Sequence, residues 1–395
     1  MSTMSAKVLL PLLGLSVLYS FYLLEANGTN KLILDLIADK KLHDSNTPLR
    51  TVYTGIAPLD EALTYLVVFL WPITNGDNPA LILHTTSLFG GVNAAWTVLL
   101  LEGYRTGHTG TIVAFPIIFG LLSQFLTFAV SLSIYCTLHL FTSPTAQNPT
   151  RQNLSVPRAV TTTLPVAILI GYIIPAGILL APVSDNVTQV FLAAWQPWPA
   201  YASLTILLAH TLFPTPTTEN ATATSKKAIW PLRLLYAVTF LTTAIPHVVS
   251  WALPLLEFTT STLSNADTLF SVRPVDVYPL PWTTSVGSIA EGVHAFLTYN
   301  YLITSLSLLV WAGTLHSRVS GGVGYGRVAA LVVLVGPVAV AVGGLWEREE
   351  MVVGGSSLSI FSSSSQSVLK VASRPRGGSG MGKWERGGKV LRFDD

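Results

Sequence analysis

Two adjacent carboxylates, Asp60 and Glu61, open the apolar run in Tyr53 to Trp71, YTGIAPLDEALTYLVVFLW, which is closed by Pro72. Acids are costly at membrane depth and are kept there for proton or ion chemistry. The same pattern has a structural explanation. Pro58 sits at a first helical position, which puts Asp60 and Glu61 in the first turn, where acids complement the helix dipole. This stretch alone leaves both roles open.

A second constellation, Glu291, His294, Thr298, Tyr301 and Ser305, recurs at three and four residues and so lines one helical face. At 1.5 Å per residue the stripe is about 20 Å long. Ser288 and Glu291 have the spacing of a capping box, which accounts for Glu291 but not for His294 or Tyr301. Gln196, Ser203 and His210 share another face, as do Thr239, Thr243, His247, Ser250 and Pro254. Gln124, Thr127, Ser131 and Tyr135 form a fourth polar line. A single histidine in such a segment is more often a packing residue than a catalyst. Taken together, the stripes predict a polar chamber inside an apolar bundle. Trp198, Trp251 and Trp282, with Trp195 and Tyr299, lie close to these stripes in sequence. Most aromatics of this kind serve as interfacial belts or packing, but an aromatic face also stabilises a cation where water is excluded.

The elements that must position these residues are apolar helices. The 395-residue chain is 50% hydrophobic and 11% charged, with mean hydropathy +0.54. A typical soluble domain carries roughly 25% charged residues, so the composition predicts an all-α, polytopic transmembrane bundle. At about 20 residues per crossing it holds about eight or nine spans. Apolar segments begin at Val8 to Leu24, Pro58 to Ile73, Leu81 to Leu101 and Ile112 to Phe141, the last kinked near Pro116. Five more follow, at Ala159 to Leu180, Val187 to Phe213, Ile229 to Leu255, Ser288 to Leu315 and Val328 to Leu345. Residues 1–350 form the bundle, and 351–395, rich in Ser, Gly and Arg, form a disordered tail. In a nine-span layout Lys7, Arg151, Arg158, Lys226, Lys227, Arg318 and Arg327 share one face, cytoplasmic by the positive-inside rule. That layout places the basic tail on the opposite face. Sequons at Asn27, Asn153, Asn186 and Asn220 fall on both sides of it.

Several function classes are excluded or weakened by what is present. A formal net charge of +2, spread along the chain, does not suit nucleic-acid binding. With Cys136 as the single cysteine, neither an intrachain disulfide nor a thiolate metal site can be built. Metalloprotease, nucleophile-elbow, Walker and dinucleotide motifs are missing, as is a paired Asp-rich motif for a magnesium diphosphate site. No metal and no cofactor is expected.

The stretch YTGIAPLDEALTYLVVFLWP and the multispan layout behind it resemble the larger integral-membrane terpene cyclases of fungal meroterpenoid and sesquiterpenoid pathways. The resemblance covers most of the chain to about Leu345. It implies cyclisation of a polyprenyl chain, or of its terminal epoxide, by protonation rather than by loss of diphosphate. It also implies a lipophilic prenylated substrate and a multi-pass endomembrane location. Physical reasoning then assigns the roles. Asp60 or Glu61, kept neutral by desolvation, protonates an epoxide or alkene, and Glu291 or His294 takes the final proton. His210, His247, Tyr301, Trp251, Trp198 and Trp282 line the substrate. A proton-coupled transporter or receptor-like protein is the competing reading, and a purely structural bundle the third.

Overall fold

The computed structural model describes residues 3–42, 47–212, 229–264, 272–279 and 285–354. The predicted tail therefore lies, from residue 355 onward, outside the described residues. So do Trp282, the side chain of His210, and the sequon at Asn220.

The described residues form helices joined by turns. In order these are α1 (Thr3–Ser16), α2 (Leu18–Ala26), α3 (Thr29–Asp39), α4 (Ala57–Leu70), α5 (Pro79–Gly103) and α6 (Pro116–Thr142). Next come α7 (Pro144–Gln147), α8 (Arg158–Ile168), α9 (Ile174–Ile178), α10 (Asp185–Trp195) and α11 (Trp198–Leu212). The chain closes with α12 (Trp230–Ser264), α13 (Pro274–Val277), α14 (Ile289–Ser320), α15 (Tyr325–Val335) and α16 (Pro337–Glu349). Five stretches are long and apolar enough to cross a membrane: Ala6–Ala26, Pro116–Thr142, Arg158–Ile178, Trp230–Glu257 and Ile289–Ser320.

Local chemistry sets the helix ends. Asn78 accepts from the Leu81 amide at 3.0 Å and is followed by Pro79, so α5 starts there. Ser288 accepts from the Glu291 amide at 3.3 Å to start α14, and Gly321, at φ 81, ends it. The π-helical turn Leu169–Ile173 joins α8 to α9 and carries Gly171, where a Cβ would lie 2.3 Å from the Ala202 backbone. Only glycine allows α11 to approach so closely.

The bundle has two ends. At one, the Val286 amide donates to the Asn27 carbonyl at 3.2 Å, joining the close of α2 to the approach to α14. At the other, the Lys7 ammonium lies 4.2 Å from the centre of the Phe141 ring. There His316 and Glu347 approach to 3.4 Å near the ends of α14 and α16. We call these the Asp60 end and the Glu102 end.

Three apolar segments depart from simple crossings. The segment expected to cross at Pro58 to Ile73 gives α4, whose fourteen residues rise about 21 Å against a hydrocarbon core of about 30 Å. Tyr65 reaches Asn30 of α3, and Phe69 packs edge-on against Phe296 at 5.3 Å. His84 of α5 stacks on His294 at 5.1 Å, so α4 stops at the level where α5 begins. It covers the Asp60 end instead of crossing.

Helix α6 reverses at Thr127 (φ 70, ψ 157). Ser131 Oγ donates to the Phe119 carbonyl twelve residues away, and the Phe119 and Tyr135 rings meet at 5.1 Å. Along a straight helix twelve residues span about 18 Å. The two arms therefore form a hairpin entering from the Glu102 end, with its turn at Thr127 rather than a kink near Pro116. A similar reversal joins α15 to α16 at Gly336 (φ 92), followed by Pro337. Val338 lies at the level of Gly91 and Tyr301, and Glu347 at the level of His316, so α16 runs from mid-bundle to the Glu102 end. Non-helical backbone at such depth is tolerated where protein or a cavity surrounds it.

Candidate active site

A cavity of about 550 Å³ occupies the space beneath α4. Its roof is a helical stripe, Ala62, Tyr65, Leu66, Phe69 and Leu70, spaced at three and four residues along α4. The turn of the α6 hairpin supplies Ser123, Gln124, Phe125, Thr127 and Phe128 as one wall. Phe125 is 81% exposed while lining the cavity, so this wall is also the lateral rim.

Beside this wall, with Trp198 6.1 Å from Phe128, stands an aromatic cage. Phe89 stacks on Trp195 at 5.1 Å, Trp195 on Trp198 at 6.3 Å, and Tyr172 meets Trp198 edge-on at 4.8 Å. The Tyr172 hydroxyl donates to the Phe89 carbonyl at 3.0 Å, tying the π-helical turn to α5. A second group, Phe21, Phe69 and Phe296, packs edge to face at 5.3 to 5.5 Å. Among the described residues no histidine, carboxylate or basic side chain lines this cavity, and its titratable wall groups are the phenols Tyr65 and Tyr172. The wall also carries the neutral polar groups of Ser123, Gln124, Thr127, Gln196, Asn300 and Thr304, but it is mainly apolar, so it holds a hydrocarbon chain and offers π faces to a cation.

The residues singled out from the sequence are placed unevenly around it. Trp198 lines the cavity. Asp60 does not. Its carboxylate accepts from the amides of Tyr53 (3.1 Å), Thr54 (2.7 Å) and Gly55 (3.0 Å) and from Thr54 Oγ1 (2.9 Å). These bonds, the Thr54 amide first, hold its carboxyl below the usual carboxylate range. Burial pushes the neighbouring Tyr53 phenol up to about 12. Glu61 is exposed, one turn before Tyr65 on α4. Glu291 is exposed and accepts from the Gly287 amide at 2.8 Å, completing the cap of α14.

His294 and Tyr301 belong to a separate buried cluster. His294 Nε2 bonds the Val277 carbonyl at 3.0 Å, and the His84 ring lies within 5.7 Å of His294, Tyr278 and Tyr301. Tyr278 bonds Ser87 at 3.1 Å and Ser250 at 2.9 Å, and Trp251 stacks on it at 5.2 Å. The cluster adjoins the cavity through Leu88 and Leu297, one turn along α5 and α14. His247 lies apart, with Nε2 3.3 Å from the Val333 carbonyl at the α15–α16 turn.

The Glu102 end holds a buried ionic network. Arg105 pairs with Glu102 at 2.8 Å and with Glu349 at 2.6 Å, while Arg348 reaches Glu102 at 2.9 Å. Arg233 forms a two-pronged pair with Glu350 at 2.6 and 2.7 Å. Glu102, His108 and His139 lie close enough to suggest a metal site. His108 keeps Nδ1 unbonded, but its Nε2 is held by Ser143 and Thr145, and the other two residues are engaged. The Trp311 indole N–H donates to His139 Nδ1 at 3.1 Å, which leaves the ring proton on Nε2, 3.4 Å from Glu102. With two arginines on Glu102 as well, these residues do not fit a cation.

Sequence reasoning missed most of the cavity wall and all of this network. The stripe at 62, 65, 66, 69 and 70 was present as helical periodicity. The network was announced by the run Trp346 to Glu350, WEREE, but its acids and bases meet Glu102 and Arg105 only through the fold.

The family model for the CtvD domain matches residues 6–353. Terpene cyclase ctvD of Aspergillus terreus is 28% identical over 86% of this chain and 97% of its own. Terpene cyclase ascI of Acremonium egyptiacum is 28% identical over 86% and 89%. Terpene cyclase sdgD of Emericella nidulans is 30% identical over 84% and 87%. No solved structure matches. By the extent of these matches the chain belongs to the CtvD family and is an enzyme of the terpene cyclase class.

Proposed function

We propose that this cyclase works embedded in a bilayer and closes a prenyl chain, joined to a polar head group, inside the aromatic cavity. A proton added to a terminal epoxide oxygen or alkene carbon creates the cation. Ring closure moves the charge along the chain, and loss of a C–H proton converts that bond pair into an alkene. One proton enters and one leaves, so the product is an isomer of the substrate. The cage of Phe89, Tyr172, Trp195 and Trp198 carries this reading, because it offers π faces in a wall without nucleophilic carboxylates or imidazoles. The lateral rim at Phe125 gives a lipophilic substrate a route from the membrane.

Membrane embedding is supported by the five apolar stretches and by charge. Basic residues flank helices at both ends, Lys7, Arg151, Arg158, Arg318 and Arg327 at the Glu102 end and Lys31, Lys40, Lys41, Arg50 and Arg273 at the Asp60 end, as suits helices that end at bilayer head groups. The start of α1 and the close of α16 lie at the Glu102 end.

Glu61 suits the initiating acid better than Asp60. Asp60 is held ionised by four donors as a clamp on the 53–55 turn, whereas Glu61 is exposed outside the cavity lining, one turn before the roof residue Tyr65. Glu291 is occupied in capping, so His294, one turn before Leu297, suits the final proton acceptor. The test compares Glu61→Gln with Asp60→Asn in membranes fed a farnesylated phenol terminal epoxide. Glu61→Gln is expected to cut turnover by at least about 10²-fold, the scale of a general acid. Asp60→Asn is expected to retain turnover with a lower thermal midpoint. Full activity of Glu61→Gln would remove it as the acid.

A further inference from the structure

One chain of side chains gives the cavity a defined polarity. The Tyr65 hydroxyl is 3.1 Å from Asn30 Oδ1, and Asn30 Nδ2 is 2.8 Å from Glu25 Oε2. Tyr65 is on the roof of the cavity and half-buried, Asn30 begins α3, and Glu25, at the close of α2, is exposed.

Hydrogen-bond direction follows from the outer member. An ionised carboxylate only accepts, so Asn30 must turn its NH₂ group to Glu25 and its carbonyl to Tyr65. The carbonyl only accepts, so Tyr65 must donate its single proton outward to Asn30. What remains at Tyr65 Oη is acceptor capacity alone. Tyr172, the other phenol of the wall, donates its proton to the Phe89 carbonyl.

We infer that Tyr65 is a specificity-determining residue that binds a hydrogen-bond donor, a hydroxyl or N–H on the head group of the prenylated substrate, with its polarity set by Glu25 through Asn30. The inference rests on the cyclase reading and deepens it by naming the head-group chemistry that the cavity selects. A donor head group satisfies the phenol oxygen. The matching ether presents a second acceptor to the same oxygen and leaves the phenol oxygen of Tyr65 without a donor.

The test uses two probes, a farnesylated phenol carrying a terminal epoxide and its O-methyl ether. Binding to purified full-length protein is read by quenching of tryptophan fluorescence, and turnover of each probe is read alongside it. The unmodified protein is expected to prefer the phenol by about tenfold or more. Tyr65→Phe is expected to reduce that preference to within about twofold. Glu25→Lys changes an exposed residue and reverses the chain: the ammonium only donates, so Asn30 turns its NH₂ to Tyr65, whose proton is released into the cavity. That variant is expected to bind the ether at least as well as the phenol. A phenol preference unchanged in both variants overturns the inference, as does equal binding of the probes by the unmodified protein. Binding of the phenol without conversion to an isomer would count against the cyclase reading and leave the binding comparison decisive for Tyr65.

Discussion

At the scale of the residue, the ionisable groups divide into those that hold the fold and those that face the cavity. Asp60 and Glu61 are adjacent, yet one is bonded to four donors and the other is exposed beside the roof. Their sequence context is the same, so only the path of the 53–55 turn separates them. His108 is a structural counterpart at the Glu102 end, with Nε2 2.9 Å from Thr145 Oγ1. Burial, then His139, holds its imidazole down at about 4, against 6.5 when free. The unfolded chain therefore takes up a proton that the folded chain refuses as pH falls from 6.5 towards 4, and stability is lost over that interval. Above 6.5 the contribution is fully present. Thermal midpoints measured across this range are expected to fall in the unmodified protein and to fall less steeply in His108→Gln. Parallel curves for the two proteins would show that His108 does not control the acid limb.

At the scale of the element, much of the helix content was legible, and the reversals were not. Apolar length locates α5, α12 and α14 well, and Ser288 caps α14 as the spacing indicates, although Glu291 reaches back to the Gly287 amide rather than to that of Ser288. Composition cannot tell a crossing from a hairpin, because both arms of a re-entrant pair are apolar. Thr127 shows the limit sharply: a β-branched residue at φ 70 is disfavoured locally, so the turn is imposed by the tertiary contacts of Phe119, Ser131 and Tyr135. Gly336-Pro337 was the more readable signal, since glycine admits φ 92 and proline begins the next helix. A Cβ at Gly336 would lie 2.7 Å from His247 Cγ. Gly336→Val is therefore expected to destabilise the protein by about 2 to 4 kcal/mol through strain and overpacking together. Denaturant titration checks this, and a loss below about 0.5 kcal/mol would mean that the α15–α16 turn relaxes freely.

At the scale of the whole molecule, the sequence indicated a polar chamber in an apolar bundle, whereas the structure has an apolar, aromatic cavity between two polar ends. The histidine and hydroxyl stripes are real helical faces, but at the Asp60 end they bond to one another and to backbone carbonyls. At the Glu102 end the charges pair internally, and removing one partner is strongly destabilising because the other is left buried. Arg348, fully buried against Glu102, is a direct case. Arg348→Met is expected to lower the thermal midpoint markedly, with the relative proportions of products unchanged because the network lies outside the cavity. A changed product ratio in that variant would place the network in the reaction path.

The central claim is that the cation is steered by the cage of Phe89, Tyr172, Trp195 and Trp198. Its most direct test is the product spectrum, by mass spectrometry and NMR, of unmodified protein and Trp198→Leu given the same farnesylated phenol terminal epoxide. The unmodified protein is predicted to yield a cyclised isomer of unchanged mass. Trp198→Leu keeps an apolar wall but removes a π face, and is predicted to divert the product to partly cyclised or water-trapped skeletons. The same single product, at the same rate, from both proteins would contradict the account.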